Sequence, residues 1–452
     1  MLNIKTLNQQ GLPRQDMEIT FPSKMIKRTQ VSFIVQRMKG VHIEWISGPR
    51  KSGKTTALFQ VIQKLTGDGI NPSHILYVNA SWFSDHPVLQ DPLLFKENLR
   101  ATFGSGDRLY VIFDEVDSLK NALSFLKNIY DASGLLKIVA VSSREPENLP
   151  TTFRETKIYP INLVEWANYH ESFIPWVRKN LYPLTGRDFV KQLEGFDRRY
   201  GMLLKESFYE LALFGGYPEV LLLPREERWQ KLEEVFNLYL RADYLEAEGV
   251  DKSLLYRDLL KNIACKVGDL INFSELHDLL KASHVTVKKY HSFLSTNYLV
   301  HSLPPLTGRK ASEIKQARKS FFYDCGFLNL ITGSMASHIY SVSYPVITNM
   351  ICSELLKNLN YKSQAYFWQT NTGTRVDFVI EAGKNYFVPI EVKSGEARPK
   401  KLTRSFHSFI KTYKPQRAIF ANASLIDSYQ VGDTEVLYLP YYWVPILEGL
   451  WQ

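Results

Sequence analysis

Cysteine is scarce in this chain. Three residues, Cys265, Cys325 and Cys352, are spread over 452 positions. An odd number at such distances excludes a zinc ribbon made of cysteines alone and fits a reducing compartment. Long apolar runs are also missing. No window approaches the ~18 uninterrupted apolar residues of a membrane helix, and the opening Met-Leu-Asn-Ile-Lys lacks the apolar core of a signal peptide. There is no low-complexity tract. These absences point to a cytoplasmic, globular protein without a membrane segment. Apolar residues make up 45% and aromatics 13%, enough for large cores, and the length suggests two to four domains. The net charge of +9 favours an anionic partner, either nucleic acid or an anionic membrane surface. Without membrane signals, nucleic acid is the expected partner, DNA first.

The stretch from Val41 to Thr56 organises the reading. An apolar run, Val41-His-Ile-Glu-Trp-Ile-Ser47, stops at Gly48-Pro49-Arg50-Lys51-Ser52-Gly53-Lys54-Thr55-Thr56 and resumes as Ala57-Leu-Phe-Gln-Val-Ile. The spacing Gly-x-x-x-x-Gly-Lys-Thr between a strand and a helix is that of a phosphate-binding loop. Gly48 and Gly53 let the backbone curl, so that its N–H groups and the positive end of the next helix face an anion. Lys54 reaches β- and γ-phosphates, and the Thr55 hydroxyl ligates the accompanying Mg²⁺. ATP with Mg²⁺ is the expected ligand. A glycine turn before an ordinary helix is the plainer reading of the same residues.

A second strand, Leu109-Tyr-Val-Ile-Phe113, delivers Asp114 and Glu115 at its end. Paired with the upstream loop, Asp114 is expected to hold Mg²⁺ and Glu115 to polarise the attacking water, with Lys54 assisting at the phosphates. Asp-Glu after a strand also suits a helix start. The strand Leu135–Val141 ends in Ser142-Ser143-Arg144, where AAA-type ATPases place a polar γ-phosphate sensor. Ser142 is the candidate, with Ser143 beside it. Arg144 and Arg154 are candidate arginine fingers, acting in cis or on a neighbouring copy of a homo-oligomer, although exposed arginines are common. Strands alternating with helices predict a parallel sheet with the ligand at its C-terminal edge.

Residues 1–24 read as an arm, 25–165 as the P-loop ATPase domain, and 166–257 as a helical lid or adaptor broken at Gly215-Gly216-Tyr217-Pro218. In 258–325 three helices, the second expected to be capped by Ser274, precede a strand, Leu299–Leu303, with Gly308-Arg309-Lys310 near a tip. That pattern predicts a winged helix-turn-helix whose third helix offers Lys288, Lys289 and His291 to DNA, mainly to phosphates. Packing between domains is an equally good use for the same helix. In 326–452 strands at Tyr366–Gln369, Val376–Ile380 and Tyr386–Lys393 carry Asp377, Glu391 and Lys393. Alternation puts Glu391 and Lys393 on one face. Ionisable groups in apolar strands cost several kcal/mol unless paired or bound to metal, an order of magnitude set by transfer energies. Asp from one strand with Glu-x-Lys from the next is the pattern of a restriction-endonuclease-like site, with Asp377 and Glu391 on Mg²⁺ and Lys393 at the water.

With these pieces together, the chain resembles, nearly end to end, prokaryotic AAA-type ATPases that carry a C-terminal restriction-endonuclease-like (PD-(D/E)XK) domain. The matching motifs are Gly48–Thr56, Phe113-Asp-Glu115, Gly215-Gly-Tyr-Pro218, Tyr323-Asp-Cys-Gly326, Val376-Asp-Phe378 and Ile390-Glu-Val-Lys393. The resemblance implies an α/β protein that binds ATP and hydrolyses it. Two positions depart from the family pattern. Thr348 stands before Asn349 where a glutamate is usual, and Arg375 stands before Val376 where an acid is common. Glu354 lies six residues beyond Thr348 and, at ~100° per residue, on another side of the helix. The expected function is an ATP-driven switch coupled to nucleic-acid binding. A Mg²⁺-dependent DNA nuclease and an ATP-regulated protein-interaction module are the alternatives.

Overall fold

The computed structural model describes residues 2–7, 15–19, 25–104, 108–130, 132–146, 148–241, 253–308, 313, 317–359, 363–383 and 385–447. The chain divides into two compact units, Met1–Pro160 with Thr296–Tyr298, and Ile161–Ser295 with Leu299–Gln452. Arg309 and Lys310, expected near the tip of a wing, lie outside the described residues. Among those described, no helix is long and apolar enough to cross a membrane. Cys265 is exposed, and Cys325 and Cys352 are buried thiols.

The first unit is a seven-stranded sheet. Its strands are β1 (Leu2–Thr6), β2 (Gln15–Ile19), β3 (Ile43–Ser47), β4 (Ile75–Asn79), β5 (Leu109–Asp114), β6 (Leu136–Val141) and β7 (Phe153–Lys157), in the spatial order β2-β1-β4-β5-β6-β3-β7. All pairs are parallel except β1 with β2. Apolar residues run continuously along β4 and β5 because both faces are covered. Leu76, Val78, Val111 and Phe113 pack on one side with Phe95 and Leu126. Ile75, Tyr77, Ile112 and Val139 pack on the other with Leu58, Val61 and Ile62. The first 24 residues, expected as an arm, contribute β1 and β2, and β1 extends the sheet beside β4. On the side with Phe95 lies the helix Pro92–Phe103, with the Asp91 carboxylate accepting the Leu93 N–H at 2.8 Å.

The second unit opens with helices. Leu163–His170 is closed by a capping box between Asn162 and Glu165, and the 29-residue helix Gly186–Phe214 follows further on. Gly215 and Gly216 then turn the chain against Asp324. The Gly216 N–H donates to Asp324 Oδ2 at 2.8 Å, and a Cβ on Gly216 would lie 2.2 Å from the Ile161 carbonyl oxygen. Asp324 also caps the helix Cys325–Thr332. Burial raises its carboxyl above the ordinary range, against the pull of Lys357 and the N–H groups of Gly216 and Phe327. Glu354 belongs to the same buried group. It accepts the Leu163 N–H at 2.7 Å and pairs with Lys357 at 3.2 Å.

Three helices, Ser253–Cys265, Phe273–Leu280 and His284–Thr296, precede the antiparallel pair β8 (Val300–Leu303) and β9 (Lys319–Phe322), and Leu270 bridges to Lys319. Asn272 caps the middle helix in place of the expected Ser274. Its side chain accepts the N–H groups of Ser274 and Glu275, which leaves Ser274 inside the first turn. Beyond the helix Tyr344–Asn358 comes a six-stranded sheet of β10 (Ser363–Gln369), β11 (Arg375–Ala382), β12 (Phe387–Val392), β13 (Arg417–Asn422), β14 (Asp427–Val431) and β15 (Thr434–Pro440). The order is β10-β11-β12-β13-β15-β14. The parallel β12–β13 pair needs a crossover, which the helix Arg404–Tyr413 supplies. That helix buries Phe406, Phe409, Ile410 and Tyr413 against Trp368, Phe420 and Val436.

Candidate functional site

The first site forms at the C-terminal ends of β3, β5 and β6. Because β6 lies between the other two, Gly48, Asp114 and Ser142 all follow neighbouring edges of one sheet. Gly48 has φ +153°, and an added Cβ would sit 2.0 Å from the carbonyl oxygen of Ile158, so only glycine admits this approach. Lys51 and Gly53 are also left-handed, at φ 64° and 91°, and complete the curl before the helix Lys54–Gly67. Ser52 is fully buried, and its hydroxyl donates to Ile158 O at 3.0 Å. The loop thus rests on the segment that follows β7. Pro49 is buried, while Arg50 and Thr56 are half-buried.

Lys54 Nζ donates to the carbonyls of Gly48 and Pro49, at 2.9 and 2.7 Å. Burial pushes its pKa down to about 8, opposed by the charges of Asp117 and Asp114. The Thr55 hydroxyl donates to Asp114 Oδ2 at 2.7 Å, and Tyr77 Oη, from β4, donates to the same oxygen at 2.9 Å. Burial raises the Asp114 carboxyl above its usual range, and the Thr55 and Tyr77 hydroxyls draw it back. Glu115 is exposed at the strand end in a left-handed conformation, φ 55°. Outside glycine that conformation is uncommon.

Ser142 is buried and donates to Asp117 Oδ1 at 2.7 Å, while the Ser143 N–H donates to Asp117 Oδ2 at 2.5 Å. Asp117 therefore stands between the candidate sensor and the loop lysine. Arg144 follows directly, with its N–H on Ser142 Oγ at 3.0 Å. Arg154 is placed differently. It lies within β7 opposite Glu44, about three residues or 10 Å back from the sheet edge at 3.3 Å per residue, so it does not reach the loop of its own chain.

Three residues of this site carry no motif. Tyr77 and Asp117 are two. The third is Arg28, buried, whose guanidinium donates to Ser52 O at 3.1 Å and to Tyr159 O. Its backbone N–H meets Gln60 Oε1 at 2.9 Å. Arg28 thereby ties the loop, its helix and the segment behind them together. A third acid two residues after Glu115 was the one visible hint of Asp117.

In the second unit, Lys288 and Lys289 are exposed on the helix His284–Thr296. His291 is not available there, which corrects its expected place among the DNA contacts. It is 8% exposed, packs edge-on against Phe273 and meets Ser302 Oγ at 3.3 Å. Burial and then the charge of Arg318 push its pKa down to about 4, so the ring is neutral at pH 7. Asp377 and Glu391 lie on adjacent antiparallel strands, next to the register pair Phe378–Ile390. The Val392 N–H donates to Asp377 Oδ2 at 2.8 Å, Thr403 Oγ1 donates to Glu391 Oε2 at 2.8 Å, and Tyr344 Oη donates to Val392 O at 2.8 Å. Burial raises both carboxyls, Glu391 to about 7. Lys393 is exposed just beyond β12. Thr348, where a third acid is usual, returns its hydroxyl to Tyr344 O of its own helix. Glu354 is committed to Lys357 and Leu163 as described. Among the described residues no group of three or more His, Cys, Asp or Glu is arranged to hold a metal ion.

Comparison with known proteins agrees with the first site. The model of the AAA domain matches residues 41–165, and two models, each described as a domain of unknown function (DUF8612 and DUF4143), match 205–337 and 345–442. An uncharacterized protein of Haemophilus influenzae is 23% identical over 329 residues, 70% of this chain and 74% of that protein. Uncharacterized protein MJ1544 of Methanocaldococcus jannaschii is 22% identical over 418 residues, 88% of this chain and 85% of that one. Among solved structures, a signal transduction ATPase with numerous domains and a tetratricopeptide repeat sensor, from Pyrococcus horikoshii, aligns at 14% identity and TM-score 0.25. The alignment covers 78% of this chain and 50% of that one, so this chain spans half of that structure's length. The match over residues 41–165 and the loop geometry agree: this part of the chain is similar to AAA domains and carries a phosphate-binding loop.

Proposed function

We propose that the protein is an ATP-binding and ATP-hydrolysing switch whose nucleotide state governs how its second unit engages nucleic acid, with DNA favoured. The observation that carries the ATPase half is the set of donors around the loop. A buried lysine held on loop carbonyls stands beside a threonine and an aspartate joined oxygen to oxygen. In this reading Gly48–Thr56 cradle the phosphates, and Lys54 leaves the Gly48 and Pro49 carbonyls to meet them. Thr55 and Asp114 are the residues that would hold Mg²⁺, which when bound supplies charge neutralisation at the phosphates. Glu115 orients and deprotonates the attacking water, and Ser142, kept in place by Asp117, faces the γ-phosphate.

The nucleic-acid half is supported by the order of elements after residue 253. Three short helices followed by a strand pair suit a winged helix, and Lys288 and Lys289 are exposed on its third helix. The six-stranded sheet with Asp377 and Glu391 on neighbouring strands suits a restriction-endonuclease-like domain. The test is ATP turnover with and without single- and double-stranded DNA. Wild type should hydrolyse ATP and be stimulated by one of the DNAs, and Lys54→Ala should do neither. Normal turnover in Lys54→Ala would sink the ATPase assignment.

A second reading, ATP-licensed cleavage of DNA at Asp377, Glu391 and Lys393, is favoured by that carboxylate pair alone. Supercoiled plasmid with ATP and Mg²⁺ or Mn²⁺ decides it. Cleavage that disappears in Asp377→Ala supports a nuclease.

A further inference from the structure

The loop between β12 and the helix Arg404–Tyr413 has an unusual balance of charge. From Lys393 to Arg404 five side chains are basic, Lys393, Arg398, Lys400, Lys401 and Arg404, against one acid, Glu396. All five basic side chains are exposed. Arg375 joins them from β11, because its N–H donates to Ser405 Oγ at 3.3 Å, at the start of the same helix. None of the six forms an ion pair with a described carboxylate. A solvated face normally mixes signs; here Glu396 is the one acid of the loop, and of the six basic groups Asp377 and Glu391 bear on Arg375 and Lys393 only, so the basic groups stay in excess.

The loop is also held at both ends. At its start the Lys393 N–H donates to Ala421 O at 2.8 Å, the Gly395 N–H to Tyr441 Oη at 3.1 Å, and the Ala423 N–H to Gly395 O at 2.9 Å. At its end Thr403 binds Glu391 through its hydroxyl and accepts the Phe406 N–H at 3.1 Å, which caps the helix. Six like charges are therefore presented, five by a pinned loop and a helix N-terminus and the sixth, Arg375, by the start of β11, not by a free tail. Holding like charges in place costs electrostatic repulsion, which an anionic ligand would relieve.

The kind of anion follows from what surrounds these residues. Asn371, Thr372 and Thr374, in the turn before Arg375, offer neutral hydrogen-bonding groups. Between residues 369 and 405 no large apolar side chain is exposed among those described. Tyr344, whose hydroxyl reaches Val392 O beside Lys393, is the neighbouring exposed aromatic. One aromatic ring among lysines and arginines suits a base stacked beside phosphates. A membrane-surface element or a protein hot spot would need a wider apolar area.

We infer that the rim formed by Arg375, Lys393, Arg398, Lys400, Lys401 and Arg404 is a phosphodiester-binding surface that takes a nucleic-acid backbone across the C-terminal sheet. This rests on the nucleic-acid reading above and assigns the contacts to a surface which the helix with Lys288 and Lys289 does not include.

The test uses the full chain and fluorescence anisotropy with a labelled 30-base-pair duplex and a 30-nucleotide single strand, from 50 to 300 mM salt. The variant Arg398→Ala/Lys400→Ala/Lys401→Ala is compared with Lys179→Ala/Lys191→Ala/Arg198→Ala, which removes the same charge from exposed positions elsewhere. The rim variant should weaken binding at least tenfold at 100 mM salt and lower the slope of log K against log salt by about two to three, near 0.9 per lost phosphate contact. The control variant should stay within threefold of wild type. Equal losses in the two variants, or none in the rim variant, overturn the assignment while leaving nucleic-acid binding intact. Failure of wild type to bind either DNA at 50 mM salt removes the nucleic-acid reading itself. Rim-dependent binding to phosphatidylserine vesicles in place of DNA would overturn the partner class.

Discussion

Replacing Gly48 with alanine is the sharpest test of how the loop is built. The new Cβ would stand 2.0 Å from the Ile158 carbonyl oxygen and 2.9 Å from its carbon, where contacts of 3.4 Å and more are ordinary. Neither partner is a side chain that could rotate away. Ile158 is fixed by its own N–H on Ser47 O at 2.8 Å and by the Ser52 hydroxyl on its oxygen. Relief therefore requires the loop to move off its back wall until the 2.0 Å contact opens to 3.4 Å or more. Overpacking of this kind costs roughly 1–3 kcal/mol, and a non-glycine residue at φ +153° adds strain of roughly 1–3 kcal/mol. A displacement of about 1 Å at a positioned site costs on the order of 10²-fold. Gly67→Ala is the matched control. Nothing lies within 4 Å of its added Cβ, so stability should be unchanged or rise by up to about 1 kcal/mol. Titration with a fluorescent ATP analogue and urea unfolding measure both quantities. If Gly48→Ala binds Mg·ATP within threefold of wild type, the loop does not depend on Ile158 and the geometry has been misread.

Glu115→Gln should keep ATP bound yet lower turnover by about 10²-fold or more, since a general base contributes roughly that much; retained turnover would move the base elsewhere. His291 gives a pH dependence. Its pKa is about 4 in the fold and about 6.5 when unfolded, so the stability it contributes is complete above pH 6.5 and falls away as pH drops towards 4. The loss reaches roughly 3 kcal/mol at 1.36 kcal/mol per unit, and His291→Phe should flatten the difference between urea midpoints at pH 7 and pH 4.5. Asp324→Ala should cost about 2–4 kcal/mol in the second unit, because it strands the buried Gly216 N–H and uncaps a helix. Unfolding followed by hydrogen exchange at Gly216 would show it.

The parts that the sequence made legible are those where local pattern and tertiary place agree. β3, β5 and β6 are apolar runs that end in Gly48, Asp114 and Ser142, and both faces of their sheet are covered, so the run needs no knowledge of its partners. β1, β2 and β7 escaped because they are edge or near-edge strands with polar faces, such as Phe153-Arg-Glu-Thr-Lys157, and their pairing is set by residues far along the chain. His291 was misplaced for a related reason. On a helix with Lys288 and Lys289 its residue type suggested the outer face, whereas its position falls on the buried stripe of Val287, Tyr290 and Leu294, where it meets Ser302 and Phe273. Arg28 and Tyr77 meet the P-loop site through contacts that no spacing encodes, and Asp117 was hinted at only by its place two residues after Glu115.

The two acid sites also differ in how their carboxylates are held. Asp114 Oδ2 is met by two hydroxyls, Thr55 Oγ1 and Tyr77 Oη, and Thr55 sits in the first turn of the loop helix. A hydroxyl can rotate towards a cation or a phosphate without breaking backbone structure, so this arrangement can change partners when a nucleotide arrives. Asp377 Oδ2 is met by the N–H of Val392, the last residue of β12, which is registered against Ala421 of β13. Glu391 is met by Thr403, whose oxygen also caps the helix behind it, an interaction worth about 1 kcal/mol. The Val392 N–H cannot leave without disturbing a strand end, and the Thr403 oxygen cannot move away without uncapping a helix. The first site is therefore suited to exchange partners and the second to keep its shape. Through Thr403, the shape that Glu391 keeps is that of the basic loop, so at a pH well above the Glu391 pKa of about 7, where the carboxylate is charged, Glu391→Ala should weaken DNA binding even though a negative charge near the phosphates has been removed. Removing a like charge from a surface with no such support would strengthen binding, and the sign of the change in the anisotropy titration separates the two.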